Sequence, residues 1–167
     1  MRATFPLIFF LFQGLLAGGA AAQTKLVATY GTWSYFAHES SQARICFALS
    51  TPQSSEPAGV RRDPTYFYIS AWPRDGVRSE ISVKIGYPFR KGSEVTVTIG
   101  SDSFKLFTQD ERAFVSDPFE ELKLIEAMKK GTVMIVQGTS ERGTTTKDTY
   151  SLSGVSKAVQ SLTTACN

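Results

Sequence analysis

The stretch Tyr66-Phe67-Tyr68-Ile69-Ser70-Ala71-Trp72 sets the fold class. Phe67, Ile69 and Ala71 alternate with Tyr66, Tyr68, Ser70 and Trp72, and a period of two built from aromatic and β-branched residues marks a half-buried strand. The same alternation returns at Ile81, Val83 and Ile85, and again at Val95, Val97 and Ile99. Segments 32–37, 44–51, 103–108, 112–115, 132–138 and 145–153 share the composition. Gly100-Ser101-Asp102-Ser103 and Ser140-Glu141-Arg142-Gly143 read as hairpin turns. Residues 51–64, rich in Pro, Ser and Arg, read as a long loop. Many short strands parted by turn residues predict a mainly β protein of two packed antiparallel sheets.

Two segments break the period. Asp117 precedes Pro118, with Glu120 three residues on, which is a helix start. Phe119, Leu122, Ile125, Ala127 and Met128 supply an apolar side, and Gly131 stands where a left-handed C-cap is wanted. The expectation is one inserted helix over 118–130, with Glu120 and Glu121 as first-turn charges favouring its dipole. After Gly154, Val155, Ala158, Val159 and Leu162 form a helical stripe, predicting a short C-terminal helix.

The N-terminus bears on compartment. Arg2, an apolar run from Leu7 to Leu16 and the small residues Ala20-Ala21-Ala22 follow the order of a secretory signal. Gln13, Gly14, Gly18 and Gly19 interrupt the run, which falls short of the roughly 20 residues a bilayer span needs. The expectation is a cleaved signal peptide over 1–22, a single β-sandwich domain over 23–167, no stable membrane insertion after cleavage, and a periplasmic or secreted protein.

Loss of Arg2 leaves 17 basic and 15 acidic residues. Between 61 and 91, Arg61, Arg62, Arg74, Arg78, Lys84, Arg90 and Lys91 outnumber Asp63, Asp75 and Glu80. This reads as the solvated face of a sheet in preference to a basic docking patch. Nucleic acid is not an expected partner, since no binding motif accompanies the charges. Cys46 and Cys166 are the two cysteines. Export and an even count favour a disulfide, with two separately buried thiols as the alternative. Two Cys and one His cannot make a four-ligand zinc site, so neither a metal nor a cofactor is expected.

Catalysis finds no foothold. His38 is the lone histidine, sits in a polar Ala-His-Glu-Ser-Ser stretch, and reads as a surface loop residue. No G-x-S-x-G elbow and no Gly-rich phosphate loop occurs. No catalytic residue is assigned.

Six further motifs, Ile85-Gly86-Tyr87-Pro88-Phe89, Gly92-Ser93-Glu94-Val95-Thr96-Val97, Phe104-Lys105-Leu106-Phe107, Ala127-Met128-Lys129-Lys130-Gly131, Thr139-Ser140-Glu141-Arg142-Gly143-Thr144 and Asp148-Thr149-Tyr150-Ser151-Leu152-Ser153-Gly154, occur in an order and spacing that resemble the invasion-associated locus B family from about Trp33 to Cys166. The resemblance implies an immunoglobulin-like β-sandwich in a periplasmic or secreted bacterial protein, in a family named for aiding host-cell invasion in some pathogens. It brings no catalytic residues. The segment Trp33–Glu39 carries no Cys, where some relatives have extra ones, so one bridge is expected here, Cys46–Cys166.

Two functions of different class follow. One is a non-enzymatic binding or accessory module that meets a protein or an envelope or host-surface component. The alternative is a hydrolase of envelope material with an unrecognised active site. Trp72, Arg74, Tyr87 and Arg90 are the candidate binding residues, because exposed aromatics beside arginines suit a docking patch. Protein taken from its source is expected to begin at Gln23 or within about two residues of it. N-terminal sequencing that finds Met1 on a membrane-bound form refutes cleavage.

Overall fold

The computed structural model describes residues 23–39 and 44–166; the signal segment expected over 1–22 lies outside them. Strands β1 (Gln23–Tyr30), β2 (Trp33–Glu39), β3 (Arg44–Ser50) and β4 (Ser54–Glu56) come first. Then follow β5 (Tyr66–Trp72), a 3-10 turn (Pro73–Asp75), β6 (Val77–Lys84), β7 (Glu94–Ile99), β8 (Asp102–Gln109) and β9 (Arg112–Phe114). Helix α1 (Pro118–Lys130), β10 (Val133–Thr139), β11 (Thr145–Ser151) and helix α2 (Val155–Ala165) complete the chain.

Among the described residues the protein is mainly β with two helices, as the sequence predicts. Its eleven antiparallel strands form one hydrogen-bonded sheet in the order β1-β2-β3-β5-β6-β9-β8-β7-β10-β11-β4. β3 bonds to β5, while β4, three residues further on, bonds to β11 at the other end of that run. One stretch of chain thus holds both β5 and β11, and the sheet curls round until its halves face each other. Phe67 of β5 meets Tyr150 of β11 edge-on across the interior, with ring centroids 5.9 Å apart. This arrangement is compatible with a sandwich, but hydrogen bonding does not divide it into two sheets.

Strand alternation builds the core. Phe67, Ile69 and Ala71 point inward, as do Ile81, Val83, Val95, Val97, Met134 and Val136. Trp33 and Tyr150 are fully buried among them. The helices cover what the sheet leaves open, α2 with the expected stripe Val155, Ala158, Val159 and Leu162.

Several expectations need correction. Residues 51–64 are not all loop, since they contain β4, and β1 was not anticipated. His38 lies in β2, half-buried, with its Nδ1 2.7 Å from Thr24 Oγ1. Helix α1 has the predicted bounds, and the Asp117 carboxylate accepts from the Phe119 and Glu120 N–H groups. Its apolar face is rotated, however. Leu124, Ile125, Ala127 and Met128 face inward, and Phe119 and Leu122 stand 74 % and 56 % exposed. At 3.6 residues per turn, Phe119, Leu122 and Glu126 share the opposite side. Glu121 lies on the buried side, where it accepts from Ser79 Oγ at 2.6 Å and from the Ile81 N–H at 3.0 Å. Gly131 is extended (φ −81°) and not left-handed. A side chain there would meet Ile99 Cγ2 at 2.5 Å and Leu152 Cδ1 at 2.9 Å, so close approach of the backbone to the core requires the glycine. Gly143 does take a positive φ (+89°) in the hairpin between β10 and β11.

Two long-range ties close the structure. Asp148 of β11, fully buried, faces inward and pairs with Arg62, whose side chain is 9 % exposed. The Arg62 guanidinium donates to both Asp148 carboxylate oxygens, to the Ile85 carbonyl at 3.2 Å and to Ser55 Oγ at 2.9 Å. Ser55 in turn donates to Asp148 Oδ1. The basic residue assigned to a solvated face is therefore the clamp that pins segment 54–63 over the sheet. The second tie is the disulfide Cys46–Cys166, with Cα atoms 6.0 Å apart. It joins the inner face of β3 to the cap of α2.

Arg62→Ala is expected to destabilise the fold by about 3–5 kcal/mol, because it leaves a buried carboxylate unpaired. A loss under about 1 kcal/mol in urea denaturation, within the range of exposed pairs, contradicts that burial. Reduction of the disulfide is expected to lower stability by up to about 5 kcal/mol for a loop of this size. Chain ends fray unless tied down, so proteolysis after Gly154 should come first. A melting curve indifferent to reductant refutes this.

Candidate binding face

The face of the sheet turned away from the core is aromatic where an exposed strand face is ordinarily polar. Pleating places Phe36 of β2, Phe47 of β3 and Tyr66, Tyr68 and Trp72 of β5 outward, together with Phe114 of β9. Register brings them side by side. Phe36 lies opposite Phe47, Leu49 opposite Tyr68, Tyr68 opposite Ser82, and Ser82 opposite Phe114. Phe36 and Phe47 stack at 5.1 Å, Phe47 and Tyr68 lie 6.1 Å apart, and Tyr66 and Tyr68 lie 5.7 Å apart. The Arg112 guanidinium sits over the Tyr68 ring, 5.4 Å from its centroid, within cation–π range.

A cavity of about 510 Å³ opens on this face, walled by Phe47, Tyr68, Trp72, Phe114, Glu80 and Arg112, with His38 at its edge. Its volume is that of a small-ligand site. The Trp72 indole N–H is buried and has no hydrogen-bond partner among the described residues. Burial pushes the Glu80 carboxyl above the usual carboxylate range; the nearby Glu121 charge adds to this and Arg112 opposes it. Burial likewise raises the Tyr68 hydroxyl, against the pull of Arg112.

A second cavity, of about 520 Å³, lies over the clamp and is lined by Arg61, Tyr87, Glu111, Glu141, Arg142 and Thr146 among others. The Tyr87 hydroxyl is 2.7 Å from Thr146 Oγ1, and its ring meets Phe89 edge-on. Burial raises the Tyr87 hydroxyl pKa. Four of the five Arg62 N–H donors are accounted for by the contacts above, so this arginine has little left for a ligand. The arrangement is structural.

The structure does not gather the four sequence-predicted residues into one place. Trp72 walls the outer cavity and Arg74 is exposed in the 3-10 turn beside it in sequence. Tyr87 lines the other cavity, and Arg90 is exposed near the β10–β11 hairpin, where its Nη2 would lie 2.8 Å from a side chain at Gly143. Phe47, Tyr68, Glu80, Arg112 and Phe114 were not singled out as site residues. The outward row Tyr66-x-Tyr68-x-Ser70-x-Trp72 carried the signal.

A carboxyl whose pKa is raised by folding favours the fold while protonated, and that contribution is lost as pH rises through the raised value. Glu80→Gln is therefore expected to melt higher than the native chain at pH 7. The gap should close at pH values below the ordinary carboxylate range. A gap independent of pH contradicts this environment for Glu80.

The sequence model of the family described as invasion associated locus B (IalB) protein matches residues 33–163. Among solved structures, that of invasion associated protein b from Bartonella henselae is similar, with a TM-score of 0.56 and 14 % identity over 86 % of this chain and 96 % of that one. No curated protein matches the sequence. The matched span takes in every strand of the sheet except β1 and both helices but for the last residues of α2, and on it this chain belongs to the invasion associated locus B family.

Proposed function

We propose that the protein is an exported, non-catalytic binding or accessory module, periplasmic or secreted, that meets a protein or an envelope or host-surface component through the outer aromatic face of its sheet. The observation that carries this reading is the aromatic array of β2, β3, β5 and β9 around the outer cavity. Folding does not need these rings outward, since the core is filled by the opposite face. Apolar surface gathered on one face of a sheet suits docking. The signal-like segment over 1–22 and the disulfide support export. The family name supports a role at the host contact.

Sedimentation with isolated envelopes and with host-cell membranes tests the reading. The native chain is expected to co-sediment with one of the two. Tyr68→Ala combined with Trp72→Ala should weaken this about ten-fold or more while the Cys46–Cys166 bridge stays oxidised. Equal sedimentation of native and variant chains overturns the assignment of this face. Hydrolysis of envelope material that is abolished by His38→Ala overturns the non-catalytic reading.

A further inference from the structure

The outer cavity also constrains the chemistry of its occupant. Each strand beneath it is bonded on both sides: β2 by β1 and β3, β3 by β2 and β5, β5 by β3 and β6, β6 by β5 and β9, and β9 by β6 and β8. β9 covers β6 only at Ser82–Lys84, so the β6 edge over Val77–Ile81 has no strand partner on that side among the described residues. Over β2, β3 and β5, which carry the aromatic rings, both sides are paired, and recognition there runs through side chains.

Those side chains have a definite character. Phe47, Tyr68, Trp72 and Phe114 offer aromatic surface. Among the described residues lining the cavity, Glu80 and Arg112 carry opposite charges that offset each other, and His38 is occupied with Thr24. A strongly charged ligand gains little from such a balance. The wall also holds polar groups of both kinds: the Arg112 guanidinium donates, the Glu80 carboxylate accepts, and the Tyr68, Ser70 and Ser82 hydroxyls can do either. A ligand that presents apolar C–H faces to rings and hydroxyls to both donor and acceptor matches all of these.

We propose that the cavity binds a pyranose ring of a neutral oligosaccharide, laid against the aromatic wall with its hydroxyls toward Glu80 and Arg112. The proposal rests on the reading of this face as the binding surface and names its ligand class. Tyr68 and Trp72 are the stacking residues, and Glu80 positions the ring by accepting from a hydroxyl.

The chain contains two tryptophans. Trp33 is fully buried with its N–H donating to the Ser151 carbonyl, so a ligand-induced change in tryptophan fluorescence reports Trp72. The probes are an N-acetylglucosamine hexasaccharide, a mannose hexasaccharide and, as the anionic comparison, a heparin hexasaccharide, each added to the folded, bridged chain. A saturable change is expected with at least one neutral probe, and the responding probe separates an N-acetylated envelope-type chain from a plain hexose chain. Calorimetry should show about ten-fold weaker binding for Tyr68→Ala and a loss of several-fold for Glu80→Gln, which keeps the packing. Silence with both neutral probes overturns the proposal, as does preference for heparin or equal affinity in both variants. If the native chain is silent to sugars yet sediments with membranes in a Tyr68- and Trp72-dependent way, the saccharide inference falls and the binding-face reading stands.

Discussion

The closure of this structure depends on one short length of chain that pairs at two distant places in a single sheet. Residues 44–56 pair with β5 through β3 and with β11 through β4. A strand edge left open exposes unpaired N–H and C=O groups, and this doubling back covers one side of β5 and the outer side of β11, leaving β1 and the short β4 as the terminal strands. The turn from one pairing to the other takes only three residues, so β4 would be poorly held by its own hydrogen bonds. The buried Arg62–Asp148 pair, with Ser55 bonded to both partners, supplies the missing grip.

Closure has a consequence for where function can reside. The interior is packed by Trp33, Phe67, Tyr150 and the aliphatic rows of β6, β7 and β10. On β7 and β11 the outward residues are Glu, Thr, Lys and Ser, and β8 adds the exposed Phe107 beside Phe114. On β2, β3, β5 and β9 they carry rings. The contrast within a single sheet is what makes the aromatic face informative.

The parts legible in the sequence are those set by local periodicity. Inward Phe67, Ile69 and Ala71 follow from a period of two, and α1 begins where Asp117-Pro118 says it should. The failures lie where a distant partner decides. Whether Glu121 or Leu122 turns inward depends on Ser79 and the Ile81 N–H, about forty residues away in sequence. Arg62 reads as one more surface charge until Asp148 is placed beside it. β1 has no apolar alternation because nearly all of it is exposed, and it exists by pairing with β2. The site was half visible: the outward row ending at Trp72 could be read from β5 alone, whereas Glu80 and Arg112 join it only through the β5–β6–β9 register.

The disulfide also sets an order of events in biosynthesis. Its cysteines are 120 residues apart, and a chain made N-terminus first at about 5–20 residues per second presents the second roughly 6–24 seconds after the first. During that interval Cys46 is an unpaired thiol on a strand whose partners β2 and β5 are made early, while β11, the partner of β4, comes only near the end. The covalent link cannot form until Cys166 has been made. The bridge can therefore close only on a chain that extends to Cys166, and a chain truncated before it would keep Cys46 as an unpaired thiol.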